Sequence, residues 1–256
     1  MKYYVVDAFT DRLFGGNPAG VCLLDAPLSD EVLQNIAFEN NLSETALVLG
    51  KDGDYDLRWF TPSVEIDLCG HATLASASVL SMHQADTERF VFHTKSGKLS
   101  VTRSGDDYFL DFPSRPPVVC EKPAVLEEAL GVHVIETYIA RDMLVVLESE
   151  ETVRQLKPNL ELIKKINAFG IIVTAKGESV DFVSRFFAPG AGIDEDPVTG
   201  SSHCTLIPYW SEKLGKTEMN AAQLSQRGGT LRCIDDGERV KIGGNAVLYM
   251  EGDIRL

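Results

Sequence analysis

Glu44 heads the run Thr45-Ala46-Leu47-Val48-Leu49, which sets a carboxylate at the mouth of an apolar strand. Burial there disfavours the charged form and is expected to raise the pKa toward the range where a general base works at neutral pH. A glutamate so placed can equally be an edge residue turned to water. A second stretch, Gly192-Ile193-Asp194-Glu195-Asp196-Pro197-Val198-Thr199-Gly200-Ser201-Ser202-His203, brings three carboxylates, a proline, a glycine and several hydroxyls to one strand-to-helix junction. Its strand reads over residues 181–187, and Pro189-Gly190-Ala191-Gly192 breaks it. Thr199, Gly200, Ser201 and Ser202 then suit the start of a helix running through Trp210. A start made of Gly and Ser leaves backbone N–H groups uncovered, which fits a carboxylate or an enolate oxygen. An acidic loop capping an ordinary helix is the alternative.

The same arrangement occurs earlier in the chain. Cys69-Gly70-His71-Ala72-Thr73 opens a helix expected over residues 70–80, and its Ala72, Ala75, Ser76, Ala77 and Ser78 are small, as a helix enclosed by a curved sheet requires. Phe60-Thr61-Pro62 and Phe187-Ala188-Pro189 stand 127 positions apart, each followed by a loop, a glycine and a small-residue helix. The pairing suggests duplicated domains whose two helix N-termini converge on one cleft. The same offset sets Ile171 opposite Glu44, so the carboxylate has no twin.

The elements that must position these residues follow from period and punctuation. Strands are expected at residues 3–9 and 19–24 around Gly15-Gly16-Asn17-Pro18, then a helix over 30–40 with Ser29 as N-cap, then strands at 45–49 and 56–60. Antiparallel strands at 89–93, 98–103 and 108–112 end at Pro113-Ser114-Arg115-Pro116-Pro117, a stiff linker. Beyond it come a helix at 123–130 closed by Gly131, strands at 132–140 and 143–148, helical segments at 150–156 and 160–167, and strands at 171–175, 181–187, 230–234, 240–242 and 246–250. The division is into domains 1–113 and 114–256, with the last strand free to return to the first domain.

Composition sets the outer limits. The chain has 256 residues, 44% of them hydrophobic, enough for one large core or two modest ones. A net charge of −14 argues against a nucleic-acid or membrane-surface partner, since both need clustered Lys and Arg. Residues 1–7 run straight into a strand pattern with no apolar leader, and no window approaches the roughly 18 apolar residues of a membrane span, so a cytoplasmic location is expected. Five scattered cysteines, odd in number and without ligand spacing, speak against disulfides or zinc. A metal site from Asp194, Glu195, Asp196 and His203 has no spacing to recommend it.

Four blocks together, Asn17-Pro18-Ala19-Gly20, Asn41-Leu42-Ser43-Glu44-Thr45-Ala46, Cys69-Gly70-His71-Ala72-Thr73-Leu74-Ala75 and Asp194-Glu195-Asp196-Pro197-Val198-Thr199-Gly200-Ser201, span most of the chain. In that order the set resembles the phenazine-biosynthesis isomerase (PhzF-like) family. The resemblance implies an α+β fold of the diaminopimelate-epimerase kind: two similar domains, each a curved, mostly antiparallel sheet around a central helix, with the active site between them, commonly in homodimers. It also implies an isomerase without metal or cofactor, acting on a small anionic carboxylate. Glu44 is then the acid–base residue, with His71, Asp196 and Ser201 at substrate-contacting positions; Asn17, Gly70 and Gly200 lie in the same blocks as further substrate-binding candidates.

The residues themselves bear on mechanism. An epimerase with two thiol bases needs a cysteine at each helix start; here the first has Cys69, while Pro197-Val198 stands before the second. A single glutamate can take a proton from one carbon and return it to another on the same face. A thiol-dependent racemase using Cys69 and a catalytically silent small-molecule-binding protein remain the alternatives.

Overall fold

The computed structural model describes residues 1–256, and its contacts divide the chain into two units: Met1–Asp111 with Gly243–Leu256, and Phe112–Ile242. The first unit is therefore discontinuous in sequence. Its strand Lys2–Ala8 pairs antiparallel with Asn17–Leu24 on one side and with Ala246–Asp253 on the other. Gly16, at φ +60°, makes the turn ahead of Asn17; a Cβ there would lie 2.1 Å from the Ala8 carbonyl oxygen.

Each unit carries the same sequence of pairings. In the first, Asn17–Leu24 runs parallel to Glu44–Lys51, which turns back antiparallel onto Asp54–Phe60; that strand is parallel to Arg89–Thr94, which pairs antiparallel with Gly97–Ser104. In the second, Glu136–Ile139 and Met143–Val146 form the opening antiparallel pair, followed by a parallel pairing with Ile171–Lys176 and an antiparallel one with Phe182–Ala188. Phe182–Ala188 is then parallel to Glu218–Gln223, which pairs antiparallel with Gly229–Asp236. The pairing is mostly antiparallel, as expected, with a parallel step at each crossover. A parallel step needs a long connection, and the helices supply it.

The two long helices fill the equivalent crossovers. Gly70–His83 is buried at every position from His71 to Ser81 and packs against strands Lys2–Ala8, Asn17–Leu24, Glu44–Lys51, Gly97–Ser104 and Ala246–Asp253. Burial on all sides leaves a hydroxyl in need of a partner, and Thr73 and Ser76 find theirs within the helix. Thr73 Oγ1 donates to the Cys69 carbonyl at 2.5 Å, and Ser76 Oγ to that of Ala72 at 2.7 Å. Gly200–Leu214 is the counterpart in the second unit and contains Pro208. The proline has no N–H to give the Cys204 carbonyl one turn back, and the Arg115 backbone N–H takes its place at 2.9 Å.

The helix Asp30–Asn40 forms where expected, with the Ser29 hydroxyl accepting from the Val32 N–H. Other expectations contract. The helix expected over 123–130 is Leu126–Leu130, the strand over 132–140 is Glu136–Ile139, and the helical segments are Glu150–Gln155 and Leu160–Ile163. Short strands Glu65–Ile66, Val118–Val119 and Ile193–Asp196, absent from the sequence pattern, pair with neighbours through two residues each. No helix is long and apolar enough to cross a membrane.

Candidate active site

Glu44 is the first residue of the strand Glu44–Lys51, and Ala19 is its register partner on the parallel neighbour. Only 8% exposed, it meets His71 from the second residue of the central helix: His71 Nε2 donates to Glu44 Oε2 at 3.2 Å. On the other side of the ring, His71 Nδ1 lies 3.2 Å from Asn17 Nδ2 and 3.5 Å from Cys69 Sγ. Asn17, Glu44, Cys69 and His71 are all buried, so four polar groups from two strands and one helix start form a single cluster.

The electrostatics correct one expectation. Burial does push the Glu44 carboxyl upward, but the hydrogen bond and the charge of His71, with a further hydrogen bond from Ser43, outweigh it, and the group titrates below its ordinary value. His71 moves the other way. Burial opposes its charge, yet Cys69 and Glu44 together raise it well above the ordinary histidine value. Burial also raises the Cys69 thiol, and the charge of His71 offsets only part of that. The resting pair is a carboxylate beside an imidazolium. In that state Nδ1 also carries a proton, which the Asn17 amide would accept only with its oxygen and nitrogen exchanged about the terminal bond.

The second helix start is assembled differently. Thr199 is the N-cap of Gly200–Leu214, but its hydroxyl donates to Asp196 Oδ2 at 2.6 Å instead of capping the helix. Gln223 holds this corner from the strand Glu218–Gln223: Oε1 accepts from the Thr199 N–H at 2.9 Å, and Nε2 donates to the Asp196 carbonyl at 2.8 Å. Neither long helix has a side-chain cap or an acidic residue in its first turn, whereas Ser29, Ser149 and Asn159 cap three of the four shorter α-helices. Neither long helix is therefore closed by the side chain of its own N-cap residue, Cys69 or Thr199.

Asp196 reaches this corner through Thr199, and Gly200 and Ser201 are the first two residues of the helix. The other two carboxylates are not part of the cluster. Glu195 is locked in a two-pronged pair with Arg185 at 2.7 and 2.9 Å, and Asp194 is exposed. His203 is fully buried among Phe182 and the helix backbone, with Nδ1 2.8 Å from the Thr199 carbonyl oxygen; burial lowers its pKa to about 4. It cannot join a metal site with that acidic run. Cysteines too are better judged in space: Cys69, His71 and Glu44 each bring a potential ligand atom within 4.8 Å of the others, although nothing in their spacing along the chain indicates it.

Sequence reasoning misses Arg141. It occupies the turn between Glu136–Ile139 and Met143–Val146, two residues before Met143, the register partner of Ile171. Asn17 stands two residues before Ala19, the register partner of Glu44, so Arg141 is the second unit's counterpart of Asn17. The match extends to contacts. Asn17 reaches His71 at the second position of its helix, and Arg141 Nη2 donates to Ser201 Oγ at 3.2 Å at the second position of the other. The guanidinium is oriented by the buried Asp142 at 3.0 Å and lies over the Phe169 ring at 4.7 Å. Asn17 and Arg141 stand 124 positions apart, not the 127 that relates Glu44 to Ile171, so only the strand register brings them into correspondence.

A duplicated sheet around a buried helix is the diaminopimelate-epimerase-like fold, and curated relatives named as isomerases make the chain an isomerase. Sequence comparison then gives the family: residues 6–252 match the pattern of the Phenazine biosynthesis-like protein family, and the chain belongs to it. A curated protein of Pseudomonas aeruginosa named as an uncharacterised isomerase is 53% identical, with 100% of this chain and 99% of that protein covered. The crystal structure of a PhzF-family phenazine biosynthesis protein from Enterococcus faecalis superposes with a TM-score of 0.98 at 48% identity, covering 100% of this chain and 99% of that one. A probable proline racemase from Agrobacterium radiobacter shares the fold at a TM-score of 0.63 and 10% identity, covering 100% and 93% of the two chains.

Proposed function

We propose that the protein moves a proton between two carbons of a small carboxylate substrate, with Glu44 as the single acid–base group. The observation that carries this reading is the 3.2 Å contact between His71 Nε2 and Glu44 Oε2 at a buried strand start. An ionised Glu44 is ready to accept a proton. As its O–H bond forms, the substrate C–H bond breaks, and the electron pair moves into the adjacent π system and onto the carboxylate oxygens. Negative charge thereby passes from Glu44 to the substrate within the field of the same imidazolium. Return of the proton from Glu44 to a second carbon on the same face restores the resting pair. One base is enough, and Ile171 stands where a twin of Glu44 would be.

The same reading gives Asn17 the orienting of His71, and assigns Gly70, Asp196, Gly200 and Ser201, joined by Arg141, to holding substrate oxygens. Assembly as a homodimer belongs to the proposal as well. The test is wash-in of deuterium from heavy water into a bound carboxylate. Glu44→Gln should slow exchange by about 10²–10⁴-fold while changing ligand affinity far less. A fully active Glu44→Gln protein would end the proposal. A racemase that depends on Cys69 is separated by Cys69→Ala, which a glutamate enzyme survives. Thiol alkylation does not discriminate, because Sγ lies 3.5 Å from His71 and any adduct would crowd the site.

A further inference from the structure

We infer that Arg115 is a second guanidinium of the substrate-holding corner: with Arg141 and the Ser201 hydroxyl it forms a clamp for one small oxyanion, a carboxylate and not its neutral amide. Arg115 stands in Pro113-Ser114-Arg115-Pro116-Pro117, which reads in the sequence only as a linker. The fold uses it otherwise. Its backbone N–H is bound to the Cys204 carbonyl of the second long helix, and Pro116 restricts it to an extended backbone. Cys204 lies one turn beyond Ser201, so the two share a helix face. The charges of Arg115 and Arg141 both act on the Cys204 thiol and on the Asp142 carboxyl, which brings both cations to this one face.

The two cations have one carboxylate between them. Asp142 is taken by Arg141, whose Nε reaches its two oxygens at 3.3 and 3.1 Å and whose Nη2 lies 3.0 Å from Oδ2. Arg115 makes no ion pair and no side-chain hydrogen bond, and its Nη1 is buried without a partner. Its charge is therefore surplus at a half-buried position, where a cation calls for a further partner. The groups left over are donors. Arg141 Nη2 donates to Ser201 Oγ at 3.2 Å, which leaves the serine O–H free to donate in turn, and Arg141 Nη1 has no partner either. Guanidinium nitrogens cannot accept, so a ligand must present oxygen lone pairs to all three groups, and the surplus charge makes that ligand an anion. Binding of an oxyanion stands on these donors alone; its identification with the substrate carboxylate rests on the isomerase reading.

Heteronuclear magnetic-resonance spectra of the arginine Nε–H groups, recorded as acetate is added to the purified protein, test the clamp without turnover. The Arg115 and Arg141 signals, assigned from their variants, should shift together with one dissociation constant. Sulfate should compete, and acetamide, the neutral counterpart of acetate, should move neither signal. Arg115→Gln should weaken acetate binding by about tenfold or more, the effect of losing a charged hydrogen bond. Arg115→Lys should restore part of it, since charge returns without the planar fork, and is the second variant should the glutamine form not fold. Arg154→Gln removes a surface pair with Glu150 in the same unit and should change nothing. Unmoved Arg115 signals, or wild-type affinity in Arg115→Gln, overturn the clamp; a response to sulfate alone makes it a site for an inorganic ion and removes the substrate assignment. In the deuterium assay Arg115→Gln should raise KM by about tenfold with kcat nearly level. An unchanged KM takes Arg115 out of the substrate's path. Acetate binding in a protein that washes in no deuterium would remove the isomerase reading and leave the clamp.

Discussion

Arg141 and Asn17 hold equivalent places before equivalent helix starts, yet one is a cation and the other a neutral amide. That difference gives the second unit a permanent positive charge beside Ser201, where the first has a histidine whose charge is supported by Cys69 and Glu44. If the guanidinium holds the substrate carboxylate, Arg141→Leu should raise KM by about 10–100-fold with a smaller fall in kcat, the range for losing a charged hydrogen bond. Arg141→Lys should recover only part, because an ammonium cannot engage Asp142 and a second oxygen with one planar fork. An unchanged KM in both variants would reduce Arg141 to a structural partner of Asp142. Single residues were legible in the sequence where type and neighbours agree, as for Glu44 before its apolar strand. The direction of the Glu44 shift was not, because it depends on His71, which the fold brings from a different element to 3.2 Å.

Among elements, the buried helix Gly70–His83 depends most on its small side chains, since it is enclosed along almost its whole length. Ala75 is fully buried, so Ala75→Leu adds volume where no neighbour can withdraw and should destabilise by about 1–3 kcal/mol, seen as a lower denaturant midpoint at constant slope. A midpoint equal to wild type would mean that the sheet leaves space beside the helix. The small-residue pattern made both long helices readable. Their neighbours were harder: the helix Leu126–Leu130 begins three residues past the proline that seemed to open it, and the three short strands are too brief to show a period. The alternation of parallel and antiparallel pairing was also hidden. It is fixed by which strands meet through space, and a strand's own sequence records only which of its faces are apolar.

At the scale of the whole molecule, the charge of −14 opposes the approach of an anionic substrate. Repulsion at distances beyond about 10 Å is screened at 0.1 M salt, whereas short contacts to buried groups are screened far less. For a proton-shifting enzyme taking a carboxylate, kcat/KM should therefore rise with ionic strength while kcat stays level; a steady fall would show that local positive groups already dominate the encounter. The return of Ala246–Asp253 to the strand Lys2–Ala8 bears on synthesis as well. Residues 112–242 form an uninterrupted unit that can fold as soon as they have left the ribosome. The first unit, begun earlier, lacks its final strand until more than a hundred further residues have been added, a wait on the order of ten seconds at 5–20 residues per second. Throughout that interval the strand carrying Tyr3 and Tyr4 presents one unpaired edge, so the half of the protein that holds Glu44 is translated first and completed last.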